Sequence, residues 1–212
     1  YDSSEFKTSS SPSSSSSSVS GVFVGVGIYG KITRSTDNGS SWDNETCQIL
    51  TDLRGVTSGN NTFVAVGDYG KIRRSTDNGS SFSTVTPVDS RYLYGVTFGN
   101  NTFVGVGNSG RIVRSTDNGL NFNTATSNIS NHLYGVTFGN NTFVAVGSSG
   151  RIVRSTDNGS NWSYDNTTSP ITTSLLGVTF GNNTFVGVGV NGKIVRSTDN
   201  GSSFDNVTFI TS

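Results

Sequence analysis

The stretch that decides the fold runs Leu133-Tyr134-Gly135-Val136-Thr137-Phe138-Gly139-Asn140-Asn141-Thr142-Phe143-Val144-Ala145-Val146-Gly147-Ser148-Ser149-Gly150-Arg151-Ile152-Val153-Arg154-Ser155-Thr156-Asp157-Asn158-Gly159. Within it, Leu133 to Phe138 and Thr142 to Val146 are apolar-rich, β-prone runs joined by the turn Gly139-Asn140-Asn141. A tight Gly-x-x-Gly turn (Gly147 to Gly150) leads into a third strand, Arg151 to Ser155. The segment Ser-Thr-Asp-Asn-Gly makes the next reversal, and Trp162 opens a fourth strand. We label these strands A to D.

The unit recurs. Its Asp falls at Asp37, Asp77, Asp117, Asp157 and Asp199, with spacings of 40, 40, 40 and 42 residues. Strand B is apolar on both faces, so both must be covered. Its third position is always small: Gly25, Ala65, Gly105, Ala145 and Gly187. That size lets a neighbouring sheet come close. Four-stranded sheets repeated about every 40 residues describe the blades of a propeller. No segment shows the 3.6-residue apolar period of a helical solenoid. The expected fold is therefore all-β: a five-bladed β-propeller over residues 21–212, preceded by an N-terminal arm and Ser-rich linker over residues 1–20.

Ser35-Thr36-Asp37-Asn38-Gly39-Ser40-Ser41-Trp42 resembles the Asp-box, or bacterial neuraminidase repeat, of sialidase-type β-propellers, a likeness extending over residues 21–212. Asp37, Gly39, Asp77, Gly79, Asp117, Gly119, Asp157, Gly159, Asp199 and Gly201 then read as structural. The carboxylate accepts backbone N–H groups of its own turn, Gly permits the reversal, and the Trp or Phe three residues after Gly caps the local core. The third copy departs, with Leu120 and Asn121 at the small positions. The resemblance implies that activity would need an arginine triad, a Tyr–Glu pair and an acid–base Asp drawn from different blades. Here Arg34, Arg74, Arg114, Arg154 and Arg196 are repeat positions, and Glu occurs only at Glu5 and Glu45. A pair of catalytic carboxylates would have to come from Glu45, Asp52, Asp68 and Asp89, which no local motif joins. We expect no enzyme activity.

Composition narrows the remaining classes. Fourteen Lys+Arg balance fourteen Asp+Glu, and charged residues make up 13%. That is a poor match for a nucleic-acid partner, which calls for a clustered basic surface. No apolar run approaches a membrane span. Cys47 and His132 are single residues of their types, so no metal site or cofactor is expected; Cys47 reads as a small packed group and His132 as a solvated connector. Met is absent even at position 1, which leads to the expectation of a processed product or an excised segment.

Departures from the repeat carry the functional expectations. The B–C turns differ, and Tyr29, Asp68 and Tyr69 are candidate glycan contacts, rings for sugar faces and a carboxylate for hydroxyls. The second position of strand A reads Arg54, Tyr94, Tyr134 and Leu176, facing either a central channel or a blade interface. Thirteen Asn-x-Ser/Thr sequons occur. Asn44, Asn60, Asn100, Asn128, Asn140, Asn166, Asn182 and Asn206 are the candidate N-glycosylation sites, and they point to an extracellular or cell-surface location.

The first unit begins at strand B, Gly21 to Gly27, with no strand A before it. Glu5, Phe6, Lys7 and Thr8 are the candidate donor strand, tethered by Ser9 to Ser20. Twelve extended residues reach up to about 40 Å, which suggests donation into a neighbouring molecule and a head-to-tail, filament-like homo-oligomer; the alternatives are an arm that folds back onto its own blade and an idle stalk. The leading expectation is a non-enzymatic structural or adhesive subunit that assembles with itself; the alternative is a multivalent glycan-binding lectin, and a sialidase-like hydrolase ranks third.

Overall fold

The computed structural model describes residues 7–10, 21–45, 51–163 and 170–207. Cys47, Glu5, Phe6, Asn166 and most of the Ser-rich linker lie outside them. The architecture is all-β, with six sheets and a single 3-10 turn in each repeat. Units 2, 3 and 5 are four-stranded antiparallel meanders in the order A-B-C-D. Strand A spans Leu53–Gly59, Leu93–Gly99, Leu133–Gly139 and Leu175–Gly181 in units 2 to 5, and strand B follows after two residues. Those two are Asn60-Asn61 and their equivalents, all with φ between 45° and 56°. Paired left-handed residues match the turn twist to the strand twist, and Asn tolerates that region better than other side-chain-bearing residues.

Unit 4 differs at its rim. Its D strand, Asn161–Trp162, touches strand C through the bridge of Arg154 with Ser163 and pairs parallel with Thr126–Ser127 from the end of unit 3. This makes the sixth sheet.

Unit 1 is completed by the arm. Lys7–Ser10 pairs antiparallel with Phe23–Val26 of the same chain, Lys7 opposite Val26 and Ser10 opposite Phe23. Of the expected donor strand, Lys7 and Thr8 lie in it, Glu5 and Phe6 fall outside the described residues, and the pairing continues to Ser10. In the single chain this strand lies along the vacant inner edge of its own first sheet. An unpaired inner edge would leave a row of backbone groups unsatisfied, and a twelve-residue tether permits the return.

The five repeat sheets stand side by side in chain order, strand A against strand A. The glycine at the third position of strand A permits this. A Cβ on Gly135 would lie 3.0 Å from the Gly177 Cα, and one on Gly55 would lie 3.4 Å from the Gly95 Cα. Between successive sheets one joint recurs four times. Two valines of strand B point forward: Val24 and Val26, Val64 and Val66, Val104 and Val106, Val144 and Val146, each no more than 1% exposed. They pack on the Phe of the next strand B, namely Phe63, Phe103, Phe143 and Phe185.

Polar pins flank this apolar contact. The Nε of Arg34, Arg74, Arg114 and Arg154 donates to the carbonyl of Asn78, Asn118, Asn158 and Asn200 in the next unit, at 2.6–2.9 Å. Asn118, Asn158 and Asn200 return an amide bond to Thr62, Thr102 and Thr142 at 2.7–2.8 Å. Each Arg thus stretches its stem along the joint while its head satisfies a turn carbonyl.

The Asp segments form the C–D turns, each built around its carboxylate. In the first, the Ser35 hydroxyl donates to Asp37 at 2.7 Å and accepts the Gly39 N–H at 2.8 Å. Ser41 gives both its N–H and its hydroxyl to the two Asp37 oxygens. In the third copy Asn121 takes the Ser41 role through its N–H and amide, and Leu120 is left 60% exposed. The aromatic after the turn caps unevenly: Phe122, Trp162 and Phe204 are buried, whereas Trp42 is 40% exposed.

Candidate functional site

Repeat-breaking residues from units 2 to 4 meet at one end of the sheets. Strand A presents Arg54, Tyr94 and Tyr134 at equivalent positions. Two residues ahead of these come Asp52, Tyr92 and His132, and the B–C turn adds Asp68 and Tyr69. The rings form one run. Tyr69 stands edge-on to Tyr92 with centroids 5.0 Å apart, and Tyr92 is 6.4 Å from Tyr94. Tyr94 then contacts Tyr134 at 5.7 Å and His132 at 6.4 Å.

Arg54 lies across this run, its guanidinium 6.0 Å from the Tyr92 centroid and 5.9 Å from that of Tyr94, at the outer reach of a cation–π contact. It also forks onto Asp68, with Nε on one oxygen and Nη2 on the other at 2.9 Å. Asp52 approaches it at 3.7 Å and accepts the Tyr29 N–H at 3.0 Å. The Asp68 hydrogen bond holds the Arg54 pKa above its ordinary value despite partial burial. The Tyr69 contact raises the Tyr92 pKa, and burial raises that of Tyr94, so both phenols stay protonated at neutral pH.

The glycan candidates are therefore placed unequally. Asp68 is 8% exposed and committed to Arg54; Tyr69 is 53% exposed and starts the aromatic run; Tyr29 is 66% exposed and joins the network through its backbone. His132 is not a plain solvated connector. Its Nδ1 accepts the Ser109 N–H at 3.1 Å and its ring contacts those of Tyr94 and Tyr134. The sequence signal for this role was its position two residues before Tyr134, matching Asp52 and Tyr92. Beside the rings, a cleft of about 320 Å³ runs between the inner strands, lined by Gly55, Gly95, Gly135 and Gly177 with Tyr134 and Leu176. It falls at the small end of the range for ligand sites.

The carboxylates weighed for catalysis do not share one place. Asp52 and Asp68 flank Arg54, whereas Asp89 pairs with Arg91 at 2.8 Å and with buried Arg111 at 3.2 Å. Among the described residues, no three His, Cys, Asp or Glu side chains converge as metal ligands would. Among them too, no helix is long and apolar enough to cross a membrane. Five sequon asparagines, Asn44, Asn60, Asn100, Asn140 and Asn182, are exposed, as are Asn128 and Asn206. Asn60 and Asn140 donate to Asn101 and Asn183 of neighbouring hairpins.

With this geometry in place, comparison by structure defines the class: the fold is that of the β-propellers. The chain is similar to YCF48 bound to a D1 peptide, with a TM-score of 0.68 and 18% identity over 97% of this chain and 71% of that one. It is also similar to YCF48 from Cyanidioschyzon merolae, with a TM-score of 0.62 and 16% identity over 88% of this chain and 67% of that one. The computationally designed Ika8 protein aligns with a TM-score of 0.64 and 14% identity over 82% of this chain and 54% of that one. No family model matches the sequence, and no curated protein matches it.

Proposed function

We propose that the chain is a non-enzymatic, open five-bladed propeller of the Asp-box kind that works outside the cell as an adhesive subunit, and that it adheres by holding carbohydrate on the tyrosine–Arg54 rim. The observation that carries this reading is the convergence of repeat-breaking residues. Arg54, Asp68, Tyr69, Tyr92, Tyr94 and Tyr134 stand at positions that vary among the five units, yet they make one continuous run of contacts. Aromatic faces take the C–H side of a sugar ring, and a guanidinium–carboxylate pair supplies donors and acceptors for vicinal hydroxyls. The rings cluster in units 2 to 4, which favours one site over a set of equivalent ones.

Charge selects among ligands. Asp52 and Asp68 more than neutralise Arg54, so the rim offers little to an anion and suits a neutral oligosaccharide. The YCF48 structure with a D1 peptide motivates a second reading, a peptide in the same place. Nothing in the rim is cationic enough to grip a free carboxylate. The exposed sequon asparagines support glycosylation of a secreted form, which glycosidase digestion would reveal as a mobility shift.

The test is a glycan array probed with the whole chain, then titration of retained glycans against Arg54→Ala and Tyr94→Ala. Neutral glycans should be retained, and each substitution should weaken binding about tenfold or more. Retention of sialylated glycans or peptides alone, no retention at all, or turnover of a fluorogenic sialoside would each overturn the reading.

A further inference from the structure

The joint between successive sheets occurs four times among the described residues, and its two halves recur uncovered on units 5 and 1. At the front of unit 5, Val186 and Val188 occupy the positions of Val144 and Val146, yet Val188 is 47% exposed where those two are fully buried. Arg196 stands where Arg154 does, but among the described residues it has no carbonyl to donate to and is exposed. Thr184, equivalent to the buried Thr142, accepts no Asn amide from the described residues.

The rear of unit 1 is the matching half. Gly79, Gly119, Gly159 and Gly201 each seat a valine of the preceding unit, so that a Cβ on the glycine would lie 2.8–3.0 Å from a valine Cγ2. The same position in unit 1, Gly39, has among the described residues only Trp42 nearby, at 4.0 Å. Phe23 is half-buried where Phe63, Phe103, Phe143 and Phe185 are at most 2% exposed. The exposed Trp42 flanks the same face.

We infer that these two faces are the halves of a fifth joint, and that a second copy of this chain supplies the missing half. Unit 5 of one molecule packs on unit 1 of the next, with Val186 seated at Gly39 and the Arg196 Nε donating to the Asn38 carbonyl. What covers the face is given by continuity with four established interfaces of identical chemistry. Those interfaces are built from the same Val, Phe, Arg, Asn and Gly positions. Contact of this kind joins different patches on the two partners, so it propagates into an open chain or closes into a larger ring. No residue of the arm takes part in this joint. The inference is independent of carbohydrate binding, since the rim lies in units 2 to 4.

Sedimentation velocity from micromolar to millimolar chain tests it. The wild type should grow in size with concentration. Val188→Glu, which changes an exposed side chain at the front, should remain monomeric, and so should Gly39→Asn, which fills the valine seat with the residue type that best tolerates a left-handed backbone. An equimolar mixture of the two variants should form a one-to-one pair and stop there, because one good front and one good rear remain. Circular dichroism and the wild-type glycan response of each variant confirm that it is folded. A wild type that stays monomeric throughout overturns the inference, as does assembly that survives both substitutions; the latter would return the arm as the linking element.

Discussion

Gly119→Ala and Gly39→Ala together measure what one joint contributes. Both glycines hold φ in the left-handed region, +78° and +85°, where an L side chain costs about 1–2 kcal/mol. Both substitutions also remove the same unfolded-chain entropy. They differ in what the new methyl group meets. At Gly119 it falls 2.9 Å from Val64 Cγ2 and 3.6 Å from Arg74 Cδ, inside a packed joint. Over-packing of that kind adds about 1–3 kcal/mol. At Gly39 the nearest atom is the Trp42 ring at 4.0 Å, so only the backbone cost remains. The difference, about 1–3 kcal/mol, corresponds to roughly 2–12 °C in melting temperature for a chain of this size. Thermal unfolding followed by circular dichroism in dilute solution, where the chain is monomeric, reads it directly. If the two variants melt together, or if Gly39→Ala is the more damaging, the joint does not carry the stability assigned to it.

Other consequences follow from the same contacts. Arg114→Ala removes a charged donor from the Asn158 carbonyl, bonded at 2.6 Å, and should cost about 1.5–3 kcal/mol in urea unfolding, whereas Arg196→Ala should stay within about 0.5 kcal/mol. Equal losses would refute the pin. The Ser81 and Ser75 hydroxyls hold Asp77 down at about 2 against an ordinary 3.8. For Asp157, burial pulls upward but the Asn161 and Ser155 bonds outweigh it, also to about 2. The unfolded chain therefore takes up protons first. Stability should be level above about pH 5 and fall as the pH drops through 3.8 towards 2, and Asp77→Asn should flatten that slope in melting-temperature profiles. A melting temperature rising on acidification would contradict the sign. Phe143→Ala, at a fully buried ring, should cost about 3–5 kcal/mol and Phe23→Ala clearly less, judged by urea midpoints.

The strands were legible because each is a short apolar run closed by turn residues that permit little else. Asn140-Asn141 forces a two-residue hairpin, and the Asp157 segment forces the C–D reversal through bonds within seven residues of chain. The third-position glycines of strand A escaped notice because their role is a contact with the next unit, not with their own. His132 read as a connector for the same reason, since the Tyr94 ring and the Ser109 N–H that it meets belong to the preceding unit. The rim was half visible: Asp68 and Tyr69 stood out as turn variants, but their union with Tyr92 and Tyr94 joins separate sheets.

Periodicity alone determined the repeat, its turns and the two-faced apolar strand B, because these depend on the unit's own forty residues. Tertiary structure decided where the arm goes, which variants share a surface, and that Val188 and Trp42 are exposed. Those outcomes depend on how successive sheets splay around the inner strands, a distance in space that no spacing along the chain encodes.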